Sequence, residues 1–102
     1  MAASNKISDK ITLEKLDKYF SITKEALDMV KAAPIDEGRR ADAEDFLDMA
    51  SRYYEDAKHF RKNDDYVNAF AALNYAHGWL DSGARIGLFK VKDSRLFTVD
   101  DD

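Results

Sequence analysis

The sequence predicts an all-α fold, an antiparallel up-down-up three-helix bundle forming one domain over residues 1–102. Three observations predict it. Apolar residues recur at three- and four-residue spacing over three long segments, about 13–33, 36–62 and 65–89. The joints between them are a few residues long and carry helix-ending residues, which favours antiparallel neighbours. The third segment, DYVNAFAALNYAHGWLDSGARIGL over residues 65–88, is apolar or small around roughly twice the ~100° arc that a half-buried helix needs. More than one neighbour must cover it.

The first helix can start at Thr12, whose hydroxyl can accept from a free backbone N–H. Lys15 stands where a full capping box would have Glu or Gln, but Glu14 suits the positive end of the helix dipole. Ile11 and Leu16 occupy the positions of a hydrophobic staple. Leu13, Leu16, Phe20, Leu27 and Val30 then form a stripe, broken at Thr23 and Lys24 and widened by Ile22, Ala26 and Met29. Pro34 ends it, because the residue before a proline is driven out of the α region.

The second helix is expected from near Asp36, with Glu37 also at its positive end. Its buried face reads Ala43, Phe46, Ala50, Tyr53, Ala57 and Phe60, flanked by Leu47 and Tyr54. Asn63 can take the left-handed conformation that stops a helix, and a following Asp can cap the next one. The third helix carries a seam at Tyr66, Phe70, Leu73, His77, Leu80, Ala84 and Gly87. Beside it runs a stripe of small residues, Ala69, Ala72, Ala76, Gly83 and Gly87, that lets a neighbour approach closely. Each glycine in this helix costs about 1 kcal/mol relative to alanine, so packing or access is the expected return. Residues 90–102, KVKDSRLFTVDDD, read as a tail: Leu96, Phe97 and Val99 are apolar enough to dock, and the last three aspartates as a solvated end.

Composition narrows the function. Sixteen Lys and Arg against twenty Asp and Glu leave a net charge of −4 and no basic field for phosphates, so no nucleic-acid partner is expected. Without cysteine there are no disulfides, thiolate metal sites or cysteine nucleophiles, which fits a reducing cytosol. The N-terminus MAASNKISDKI lacks the apolar core of a signal peptide. The longest stretch without a charged residue, 66–80, is shorter than the ~20 residues a membrane span needs. A cytoplasmic protein with no membrane association is expected.

The stretch YYEDAKHFRKNDDYVNAFAALNYAHGWLDSGARIGL over residues 53–88 resembles a family of short archaeal proteins known as a domain of unknown function, family 357. LFTVD, residues 96–100, is similar to that family's C-terminal signature, whereas the first helix is matched only in kind. The resemblance implies an archaeal origin and an up-and-down three-helix bundle. It implies no activity and carries over no functional residues.

One grouping has the chemistry of a site. Asn74, His77, Gly78, Asp81 and Arg85 lie within about 60° of one line along the third helix. They could combine a histidine, a carboxylate to orient it, a guanidinium for an anion and a glycine for access. The same residues also make an ordinary surface ladder, with Asp81 and Arg85 as an i,i+4 pair. Gly78 keeps the site reading alive, because it costs stability on a polar face without an evident packing return.

Other constellations carry less. Asp56 with His59 and His77 with Asp81 have metal-ligand chemistry, but folding the hairpin near Asn63 leaves the histidines ~12 Å apart along the axis, at ~1.5 Å per residue. No metal and no cofactor is expected. Arg52 and His59 have a spacing similar to that of a class of helical ribonucleases, yet they belong to a charged outer face with Asp48 and Glu55. The hairpin is also similar to one tetratricopeptide-type unit, which cannot form a solenoid alone. No catalytic residue is assigned.

The expected function is a non-catalytic helical module that binds another protein or itself, as in a homodimer. The alternative is a small enzyme or ligand-binding protein acting through Asn74, His77, Asp81 and Arg85. Tyr75, Trp79 and Ile86 form a third stripe turned away from the seam and are the expected interaction surface. Either residues 96–99 fold over that stripe or a second copy covers it, and the dimer is favoured because so short a segment covers little area.

Overall fold

The computed structural model describes residues 6–100, and over them the chain forms three α-helices. These are α1 Leu13–Ala32, α2 Arg40–Lys62 and α3 Tyr66–Arg85, with a 3-10 turn Glu37–Arg39 leading into α2. The readings of the extreme N-terminus and of Asp101 and Asp102 fall outside the described residues. Among the described residues no helix is long and apolar enough to cross a membrane. α3 is the central element: it packs extensively on α2 and also on α1, whereas α1 and α2 meet at few points. Two neighbours on different sides account for its wide apolar arc.

The helix starts follow local chemistry. The Thr12 hydroxyl accepts the Lys15 N–H at 3.1 Å. The Asp36 carboxylate accepts the Gly38 N–H and so caps the 3-10 turn, while α2 proper begins four residues later than Asp36, at Arg40. Asp65 caps α3 through the Asn68 N–H. The left-handed residue in this joint is Asp64, with φ 59°, and not Asn63. Asn63 instead turns its amide onto the His59 carbonyl at 2.9 Å, closing the end of α2.

Packing shifts the expected faces slightly. Leu16, Thr23, Ala26, Leu27 and Val30 are the buried residues of α1, so Thr23 lies inside the stripe it was expected to break, and Leu13 is exposed. On α2, Tyr54 is buried and Tyr53 only half-buried, the reverse of the expected order. Tyr54 meets Phe20 of α1 edge-on, whereas Tyr53 sits at the outer edge of the α2–α3 seam against Tyr75. Phe70 is likewise half-buried, edge-on to Tyr19 with the Lys15 ammonium over its ring. The register set by Phe46–Trp79 and Tyr53–Tyr75 brings Ala50 level with Ala76 and Ala57 level with Ala69. All four alanines are fully or almost fully buried, which is the close approach that the small-residue stripe predicts.

α3 stops at Arg85 and not at residue 89. Gly87 adopts φ 79°, a left-handed conformation that other residues reach only with strain. The Leu88 N–H returns to the Gly83 carbonyl at 2.8 Å and the Gly87 N–H to Ala84 at 3.1 Å, the paired bonds of a Schellman ending. Leu88 and Phe89 then run extended beneath the α1–α2 joint. Asp36 N–H donates to Leu88 and Lys90 N–H to Pro34, making a single antiparallel bridge between Ile35 and Phe89. Arg39 fastens the same corner, pairing with Asp36 at 2.8 Å and donating to the Ile86 carbonyl at 2.7 Å. The Arg39 guanidinium and the Gly38 N–H hold the Asp36 carboxyl below the usual carboxylate range. That favours the folded corner above the range and is lost only as acid protonates the carboxyl. A Cβ at Gly83 would lie 2.8 Å from Cδ2 of Phe89 and closer still to its Cε2, so this glycine is the seat of the Phe89 ring.

Candidate functional site

The polar stripe of α3 faces residues 93–98 of the C-terminal segment, here called the strap. Asp93 organises the strap locally. Its carbonyl accepts the Leu96 and Phe97 N–H groups, and its carboxylate accepts the Arg95 N–H and pairs with the Arg95 guanidinium at 2.9 Å. That guanidinium holds the Asp93 carboxyl below the usual carboxylate range, so the turn keeps this contribution at neutral pH and loses it only in acid. The turn drives Leu96 and Phe97 inward, and both are buried.

His77 and Asp81, one helical turn apart, take hold of the strap backbone. His77 Nε2 lies 2.6 Å from the Leu96 carbonyl oxygen; since a carbonyl only accepts, Nε2 carries the proton. The imidazole stacks on the Phe97 ring at 6.3 Å between centroids. The Asp81 carboxylate accepts from Thr98 twice, through its N–H and through its hydroxyl, the latter at 2.7 Å. On the other side, Arg95 pairs with Glu25 of α1 at 2.5 Å, so the strap bridges α1 and α3.

The five expected site residues are thus only partly brought together. Asn74, His77, Gly78 and Asp81 line a concavity of about 310 Å3 with Tyr19, Thr23 and the strap's Arg95. Arg85 does not join them. It is exposed at the end of α3, and the i,i+4 pair expected with Asp81 is not formed, because Asp81 is turned to Thr98. The guanidinium at this site comes from Arg95, which no helical spacing could reveal. Leu96 and Phe97 are apolar enough to be expected to dock, whereas Arg95 and Thr98 were missed, and the one signal near them is the resemblance of LFTVD. Gly78 itself is exposed, and a Cβ there would meet nothing within 4 Å. In the single chain, Gly78→Ala is therefore expected to raise stability by up to ~1 kcal/mol in chemical denaturation at low protein concentration, by relief of backbone entropy. A loss would place a tight contact at Gly78.

Tyr75, Trp79 and Ile86 lie on the neighbouring face. Trp79 is half-buried, edge-on to Phe46 at 5.0 Å, and its buried indole N–H has no acceptor among the described residues. Tyr75 is 52% exposed between Tyr53, at 4.4 Å, and Trp79, at 6.1 Å. Ile86 is also 52% exposed. Phe46, Tyr75, Gly78, Trp79 and Ser82 line an open apolar groove of about 340 Å3. The strap docks on α3, but over His77 and Asp81 and not over this stripe. On that side His77 and Asp81 hold its backbone and Glu25 of α1 holds Arg95.

The remaining constellations stay apart. Among the described residues no group of three or more His, Asp or Glu side chains is placed to hold a metal ion. Arg52 pairs with Asp48 at 2.8 Å, and both Arg52 and His59 are exposed.

The fold and this surface define a class of small three-helix domains built around a central helix. The chain belongs to the DUF357 family, proteins of unknown function, whose family model matches residues 18–89. The match takes in most of α1 as well as α2 and α3, more than the residues that carried the resemblance. It ends at Phe89, before the strap. No curated protein and no solved structure matches the chain.

Proposed function

We propose that the chain is a non-catalytic helical module that self-associates through α3. The observation that carries this reading is an exposed stripe without charge, Ala71, Tyr75, Gly78, Ser82 and Ile86, on a chain of which 35% is charged. It borders the aromatic groove, and an exposed apolar face of this kind marks an interaction surface. The stripe is also self-complementary. In an antiparallel two-fold contact centred between Gly78 and Trp79, each Tyr75 opposes the partner's Ser82 and each Ile86 opposes the partner's Ala71. Large residues would meet small ones along the whole contact, and Gly78 would let the two helices come close.

Gly78→Glu tests this cleanly, since the side chain enters open space in the single chain but stands at the centre of the contact. The wild type is expected to be a dimer by light scattering and Gly78→Glu a monomer of unchanged helical content. Trp79, the single tryptophan, should report the contact as a blue shift of its emission with concentration. A wild type that stays monomeric up to about 1 mM, a contact free energy of only about −4 kcal/mol, rejects the reading.

A second reading, small-ligand binding or catalysis through the polar stripe, is supported by the 310 Å3 concavity. It is weakened by the commitment of both His77 and Asp81 to the strap. A ligand there would meet Arg95 in place of Arg85.

A further inference from the structure

Two sets of contacts among the described residues hold the strap. Within the strap, Asp93 accepts from the backbone of Arg95, Leu96 and Phe97 and pairs with the Arg95 side chain, so the turn is shaped by its own residues. Between strap and body, the polar contacts include His77 to the Leu96 carbonyl, Asp81 to the N–H and hydroxyl of Thr98, and Glu25 to Arg95. Two of these three partners read main-chain groups, and the apolar side chains Leu96 and Phe97 fill the socket beside them. Backbone hooks beside side-chain sockets are how folded domains hold a short peptide.

We propose that the α1–α3 groove is a peptide-binding site for a turn of the form Asp-x-Arg-Leu-Phe-Thr, filled in this chain by its own residues 93–98. A turn that shapes itself can be presented equally well by another chain, because none of its internal bonds depends on the connection to α3. The partner it fits is a polypeptide carrying this turn, with an arginine to meet Glu25, a Leu-Phe pair for the socket and a hydroxyl residue for Asp81. In the intact chain the tether keeps the strap at a high effective concentration, so an external peptide competes only weakly until the strap is loosened.

The test uses the full chain and a fluorescent synthetic peptide of residues 91–100, with binding read by fluorescence polarisation. The peptide is expected to bind Phe97→Ala, whose own strap has lost its aromatic anchor, at least about tenfold more tightly than the wild type. Adding Asp81→Ala to that variant should remove the gain, because the Thr98 hook is gone. A peptide with Leu96 and Phe97 both changed to serine should bind neither chain. Equal binding to wild type and Phe97→Ala, or a gain that survives Asp81→Ala, overturns the proposal. If circular dichroism shows that Phe97→Ala has lost its helices, Arg95→Ala takes its place under the same criteria, since that side chain is 64% exposed and outside the core. Ile86 is exposed and lines no part of this concavity, so Ile86→Ser leaves the peptide result unchanged.

Discussion

Phe89→Ala is expected to destabilise the protein by about 3–5 kcal/mol in chemical denaturation, the cost of emptying a buried aromatic site. Phe89 is the largest of the fully buried side chains, although it stands in a connecting segment and not in a helix. Its ring fills the space above Gly83, and its backbone pairs with Ile35, so one residue ties the end of α3 to the joint between α1 and α2. The same contact predicts a paired effect. Gly83→Ala alone should cost about 1–3 kcal/mol, because the ring must move to admit the methyl group. In the Phe89→Ala background the added methyl enters vacant space, and the gain in helix propensity, up to about 1 kcal/mol, should make Gly83→Ala neutral or stabilising. A loss below about 1 kcal/mol for Phe89→Ala, or strict additivity of the two changes, would show that the ring is not seated on Gly83.

Leu80→Ala is expected to cost about 2–5 kcal/mol. Leu80 is completely buried on α3, the helix that packs on both of its neighbours. Urea denaturation followed through the fluorescence of the adjacent Trp79 measures it directly. An effect below about 0.5 kcal/mol, typical of exposed positions, would mean that α3 is not the centre of the core.

These two residues mark how far the sequence is legible. Leu80 lies on a helical seam with Leu73 and Ala84, and all three are buried as that spacing predicts. The sequence pattern places Phe89 as the last residue of the same helix, yet it leaves the helix altogether. Apolar periodicity runs unbroken through Ile86 and Leu88, and Gly87 fits a small-residue stripe as well as it fits a left-handed ending. Only the bonds from Leu88 and Gly87 back to Gly83 and Ala84 decide between the two. Thr23 makes the same point on α1, since a threonine inside an apolar stripe looks like an interruption until its surroundings are known.

The candidate site was legible in its residues and not in its partners. Asn74, His77, Gly78 and Asp81 do share a concavity, because four positions on one helix face are fixed by helical geometry alone. Arg85 met the same angular criterion and is absent from it, while Arg95, ten residues further along the chain, is present. A surface carboxylate such as Asp81 has several possible donors, the free energies differ by tenths of a kcal/mol, and local spacing cannot rank them.

The sequence by itself determined the number of helices, their antiparallel order, the cap at Thr12 and the central place of α3. Those follow from short-range sterics and hydrogen bonding, and from an apolar arc too wide for one neighbour. The tertiary structure alone decided where α3 ends, that Gly83 seats Phe89, and that the strap lies over His77 and Asp81 while Tyr75 stays exposed. The physical reason is that periodicity fixes the direction in which a side chain leaves its helix. Which distant segment meets it depends on competing contacts of similar free energy, settled only when the whole chain has packed.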